Sequence, residues 1–200
     1  KRLDKELMSW YNISIVSERY LSNLKFEWDL IMKMSETFQK KYKKLYLEMA
    51  TLCENEPGVG DPFSYARSKE IFTAIEMQHE ISDTLAGADG IDQEGACEYK
   101  STTGKSIQGA YTGISVQPTW ADQEKYLREE KIGKYENHYY SRFEGSKGIV
   151  EIWKLSGDDV LSILLPKLRK KYDTVLTMKD PRLQANVSKK DIKQYGIQIR

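Results

Sequence analysis

Gly87-Ala88-Asp89-Gly90-Ile91-Asp92-Gln93-Glu94-Gly95-Ala96-Cys97-Glu98-Tyr99-Lys100 is the stretch on which the reading of this chain turns. A tight β-hairpin is its simplest conformation. The turn signal is Asp92-Gln93-Glu94-Gly95, where Gly95 can take the positive φ that closes a short loop. If Asp92 and Gly95 flank a two-residue loop, Ile91 falls opposite Ala96 and Asp89 opposite Glu98. Side chains alternate along a strand, so Asp89, Ala96, Glu98 and Lys100 share one face. Cys97 and Tyr99 point to the other, Cys97 toward the core.

Two carboxylates set across a hairpin repel each other unless positive charge sits between them. A divalent cation meets that need. Mg²⁺ takes one or two carboxylates and keeps several waters, so the pattern suits metal-assisted phosphodiester hydrolysis. Lys100 would point at the same cavity, where it could orient the attacking water or stabilise charge building on the phosphate. The competing reading is an ordinary exposed strand, on which Glu-x-Lys is a solvated pair. Against it stand the upstream Asp at cross-strand spacing, the glycine turn, the small or apolar residues between, and the helix before them.

Asp89 followed by Glu98-Tyr99-Lys100 resembles the signature of the PD-(D/E)xK nuclease superfamily, which includes most type II restriction endonucleases along with resolvases and repair nucleases. No proline precedes Asp89, a departure the family tolerates. The resemblance implies that Asp89 and Glu98 bind Mg²⁺, that the Tyr99 carbonyl joins them, and that Lys100 is catalytic together with the two acids. Asp92 is the rival first acid because its Gly-Ile-Asp context also looks like some members. Its gap to Glu98 is short, and the register above turns it to the wrong side. In this superfamily the helix before the hairpin often carries a further acid. Arg67-Ser68-Lys69-Glu70 is similar to the start of that helix, which makes Glu70 the candidate and Glu76 the alternative. An ordinary exposed helix glutamate competes with both.

Outward from the hairpin, apolar residues recur at helical spacing from about Ser17 to Cys53: Leu21, Leu24, Trp28, Ile31, Phe38, Tyr42, Leu45, Met49 and Leu52. They predict one long amphipathic helix or two joined end to end, stopped by Glu54-Asn55-Glu56-Pro57-Gly58. Such a stripe is more often core than interface, although its length suits a dimer contact or a packed cover. A second helix is expected from about Ser64 to Ile81. Ser101-Thr102-Thr103-Gly104-Lys105-Ser106 invites a nucleotide-binding reading that fails, because Tyr99 stands where a Walker A loop needs glycine. The segment from Ser101 to Trp120 is expected either to contact DNA through Ser101, Lys105, Gln108 and Tyr111 or to be a plain loop leading to a short helix. Lys134 to Tyr140 is the other place for a reading head. Ala121 to Ile132 reads as a charged helix, and His138–Phe143 with Ile149–Leu155 as a second hairpin. Ser156-Gly157-Asp158-Asp159 starts a helix that Pro166 should bend or break. A short helix at Ser188–Tyr195 and a strand at Gly196–Ile199 close the chain.

The chain has 200 residues, a formal net charge of +1 and 30% charged residues, so no global basic field announces a nucleic-acid partner. Local basic runs, Lys40–Lys44, Lys167–Lys171 and Lys189-Lys190 with Lys193, permit DNA binding or are simply solvated helix faces. Two cysteines exclude a disulfide scaffold, and the two histidines, His79 and His138, lack ligand neighbours at zinc spacing. A reducing cytoplasm fits this usage. There is no signal-peptide pattern and no apolar run long enough for a bilayer. The chain opens on Lys1, not Met, as a segment of a longer gene product would.

The expected architecture is α/β, a mixed central β-sheet flanked by helices in the restriction-endonuclease manner, with a long N-terminal helical segment. Residues 1–200 read as a single nuclease domain: a helical segment 1–56, a catalytic core 64–155, and a C-terminal helical part 156–200 with a final strand. The expected function is that of a Mg²⁺-dependent, sequence-specific endonuclease of double-stranded DNA, a type II restriction enzyme that leaves 5′-phosphates. Cutting both strands of a palindrome implies a homodimer with two equivalent sites. A structure-specific repair or resolvase-type nuclease is the alternative, and a non-catalytic DNA-binding or interaction module is another. Neither a membrane nor a nucleotide cofactor is expected.

Overall fold

The computed structural model describes residues 34–83 and 87–200. The chain divides into two compact units, Lys1–Met49 and Ala50–Arg200. The expected helical segment before residue 34 lies outside the described residues. Helix α1 (Glu36–Glu54) begins where the Ser35 hydroxyl accepts the Phe38 amide at 3.2 Å, a capping contact, and ends at the expected breaker. Its residues Phe38, Tyr42, Leu45, Met49 and Leu52 are exposed, so the described part of the expected stripe is not core.

The rest of the chain follows in order. Helix α2 (Arg67–Met77) leads to β1 (Glu80–Ile81), β2 (Gly90–Ile91), β3 (Ala96–Thr102) and β4 (Gly109–Ser115). Helix α3 (Trp120–Tyr126) continues into a π-helical turn, Leu127–Lys131, then β5 (Asn137–Phe143) and β6 (Ile149–Ser156). Helix α4 (Gly157–Leu176), β7 (Arg182–Val187), α5 (Lys189–Tyr195) and β8 (Ile197–Gln198) complete it. Six strands form one mixed sheet in the order β1-β2-β3-β5-β6-β8, with β3 and β5 parallel. β4 and β7 pair antiparallel in a separate ribbon.

Helix α2 stops four residues short of its expected end. Gln78 turns into the left-handed conformation (φ 57°) and the His79 amide reaches back to the Ala74 carbonyl at 2.9 Å. His79 then enters an aromatic cluster, its Nδ1 2.9 Å from the Tyr99 hydroxyl and its ring 4.8 Å from that of Tyr139.

Alternation divides the sheet between two cores. Cys97, Tyr99, Tyr139 and Ile152 pack with Ala74 of α2 on one face. Tyr140 and Leu155 face the larger core, where Val160, Leu161, Leu164 and Leu168 of α4 meet Leu183 and Val187 of β7. Helix α4 is capped by Ser156 as expected, but it runs unbroken through Pro166. The apolar stripe on both sides of the proline is buried, and that packing outweighs the missing backbone hydrogen bond. The ribbon β4/β7 replaces the expected loop within 101–120. Among the described residues no helix is long and apolar enough to cross a membrane.

Candidate functional site

The β2/β3 turn closes as its residues suggest. Asp92 N–H bonds to the Gly95 carbonyl at 2.9 Å, and Gly95 carries φ 140°. Gly90 pairs with Cys97 and Ile91 with Ala96, which brings Asp89 beside Glu98. The Asp89 amide donates to the Cys97 carbonyl at 3.0 Å, and its carboxylate accepts the Tyr99 amide at 2.8 Å. Cys97 and Tyr99 turn inward on the opposite face.

Asp89, Glu98 and Lys100 meet Glu70, Lys69 and Ala66 of the α2 end in one cleft, with Tyr99 and Ser101 along its edge. Its volume of about 220 Å³ suits a phosphate group with a few waters. Lys100 Nζ donates to Glu98 Oε1, and both side chains are largely buried. Glu70 lies 3.5 Å from the Arg67 guanidinium, itself buried and bonded to the carbonyls of Val59, Gly58 and Ser82. Arg67 thereby ties the segments at Gly58-Val59 and Ser82 to α2.

Burial pushes the Asp89 carboxyl up to about 7, and the neighbouring Glu98 and Glu70 charges push the same way, against the Tyr99 amide and Lys100. Burial also raises Glu70, with Arg67 opposing and Glu98 adding to the rise. Three acids are therefore crowded where their negative charge is poorly solvated. A hard divalent cation fits that donor set. Among the described residues no group of three or more His, Cys, Asp or Glu side chains is placed so that it could hold a metal ion. Mg²⁺ requires only one or two carboxylates, so the residues present fit it.

Asp92, the rival acid, has a different environment. Its Oδ1 accepts the Glu94 and Gly95 amides at 2.8 and 2.9 Å, and its Oδ2 accepts the Asn137 amide and the Tyr139 hydroxyl, each at 2.8 Å. Burial alone would raise this carboxyl, but the Asn137, Tyr139 and backbone donors together hold it below the usual range. It is a turn anchor on the face away from the cleft. Glu76 also lies elsewhere, 2.6 Å from Arg200.

Among the expected DNA contacts, Ser101 edges the cleft, and Lys105 and Gln108 are exposed on the β3–β4 connection. Tyr111 is a correction. Its side chain is buried in the larger core with its hydroxyl bonded to His138 and Tyr140, so it has no edge to offer a base. The segment 134–140 is corrected likewise: Tyr135 and residues 137–140 are buried. Tyr135 donates to the Gly87 carbonyl at 2.6 Å and so holds the start of the hairpin. Sequence reasoning missed Lys69 as a cleft residue, although it stands next to Glu70. Two positions apart from Arg67 on a helix, it turns away from that buried side chain toward the opening.

Fold and cleft define a mixed α/β protein with an acid–lysine site at one edge of a β-hairpin. No protein-family model matches the chain, and no curated protein matches it significantly.

Proposed function

We propose that this chain is a Mg²⁺-dependent endonuclease of double-stranded DNA, of the type II restriction kind and acting as a homodimer. The carrying observation is the meeting of Asp89, Glu98 and Lys100 in one cleft beside Glu70, with Asp89 pushed to about 7. Such a perturbed group in a cleft marks functional sites. Asp89 and Glu98, with the Tyr99 carbonyl, would hold the metal, and Glu70 would complete its surroundings. A divalent cation there supplies Lewis-acid polarisation of the phosphate and an acidified water. Lys100 has the reach to orient that water and to offset negative charge on the phosphate, and Glu98 keeps its ammonium in place. Lys69 offers a second cation from the opposite wall.

Incubation of supercoiled plasmid with the protein and Mg²⁺ tests this. Discrete fragments ending in 5′-phosphates are expected, with Asp89→Ala and Glu98→Ala inactive yet folded. Lys100→Ala should bind DNA in Ca²⁺ nearly as wild type does and cut it at least about a hundredfold more slowly. Cleavage of branched substrates alone would reassign the protein to the resolvase-type nucleases. No cleavage of any DNA with Mg²⁺ or Mn²⁺ would leave an interaction module.

A further inference from the structure

We infer that Tyr111 is the positioning residue of Lys100, its ring serving as a fixed platform beneath the ammonium. Lys100 Nζ lies 5.1 Å from the centroid of the Tyr111 ring, within reach of a cation–π contact. Tyr111 cannot swing aside, because its ring is packed in the larger core; its hydroxyl is 2.8 Å from His138 Nδ1 and 2.8 Å from the Tyr140 hydroxyl. His138 Nε2 is 3.2 Å from the Ile132 carbonyl, which can only accept. Nε2 therefore carries the proton, Nδ1 accepts from Tyr111, and Tyr140 donates to the Tyr111 oxygen. Every polar atom of this interior array has a partner.

The array lies directly beside the residues it serves. In the parallel β3/β5 register His138 is the partner of Glu98, and Tyr140 the partner of Lys100. Gly109 makes the approach possible: a Cβ there would press on the Tyr140 ring and come within 3.1 Å of Lys100 Cβ. A free lysine side chain samples many rotamers. Held between the Glu98 carboxylate and an anchored ring, its ammonium keeps one position at the cleft. The consequence for turnover rests on the proposed nuclease reading, whereas the placement itself does not.

The test joins two readouts. In wild-type protein without DNA, the Lys100 ε-methylene resonance, assigned with Lys100→Arg, should be shifted upfield by the ring current of Tyr111. Tyr111→Phe should keep that shift, and Tyr111→Leu should lose it. In single-turnover cleavage Tyr111→Leu should lose about tenfold or more in rate while its DNA affinity in Ca²⁺ stays within about threefold, as for a displaced catalytic group. Tyr111→Phe should stay closer to wild type. An unshifted Lys100 resonance in the wild type overturns the proposal, even if Tyr111→Leu fails to fold. So do equal rate losses in the Phe and Leu variants, which would mark a purely structural hydroxyl. A wild type that cuts no DNA removes the nuclease reading alone, because the resonance still tests the platform.

Discussion

Asp89 and Asp92 stand three residues apart in one hairpin and have opposite electrostatics. Asp89 is crowded by burial and by Glu98; Asp92 is surrounded by donors. Their effects on stability differ in sign. The folded-state pKa of Asp89, about 7, lies above an unfolded value of about 3.9, so the folded protein binds its proton more tightly. Stability conferred at low pH is then lost as pH rises from about 4 to about 7. In thermal melts without divalent cations, we expect Asp89→Asn to be more stable than wild type at pH 8, with the advantage shrinking toward pH 4. Mg²⁺ should raise the wild-type melting temperature at pH 8 and leave the variant's unmoved. An Asp89→Asn protein no more stable than wild type at pH 8 would refute the crowding account. Asp92 works the other way: its depressed carboxyl stabilises the fold above the ordinary carboxylate range and loses that contribution as pH falls through it. Removing it as Asp92→Ala leaves the Tyr139 hydroxyl without its acceptor and Asn137 with Glu94 alone. We expect a loss of about 1–3 kcal/mol in denaturant unfolding, with cleavage retained in the folded fraction.

At the scale of elements, the hairpin and helix α4 show how far local chemistry reaches. The β2/β3 register follows from Asp92 and Gly95 alone, because a short turn sets the pairing and alternation then assigns every face. Helix α4 contradicts its own sequence at Pro166. Eight of its residues are buried, Ile163, Leu164 and Leu168 among them, and this packing keeps the helix continuous where the proline would break it in isolation. Pro166→Ala should restore the missing backbone hydrogen bond without touching that face. We expect a gain of about 1–3 kcal/mol in chemical denaturation, and an unchanged or lowered stability would mean that the proline ring itself packs usefully. Helix α2 shows the reverse case, in which a periodic pattern suggests more helix than exists. Contacts of His79 with Tyr99 and Tyr139 take its last turn into the aromatic cluster.

For the molecule as a whole, DNA recognition would have to come from groups outside the cleft. Lys105 and Gln108, exposed between β3 and β4, are the nearest expected contacts, and they make different demands on a binding experiment. Lys105→Ala should weaken binding to every sequence and lower the salt slope by about one unit, whereas Gln108→Ala should cost about 1–3 kcal/mol and relax specificity at one base pair. Equal, sequence-independent effects would make this connection scaffold. Legible in the sequence alone were the hairpin, its turn, the face shared by Asp89, Glu98 and Lys100, the second hairpin of β5 and β6, and the cap at Ser156. All of these depend on neighbours within a few residues, where dihedral preference and alternation decide. Packing between distant parts of the chain was needed to show that Glu70 joins the cleft while Glu76 pairs with Arg200, that β4 finds β7 across some seventy residues, and that Tyr111 is buried under Lys100. Those outcomes depend on which distant surfaces bury one another, and a side chain's burial and charge partners exist only once the chain has packed.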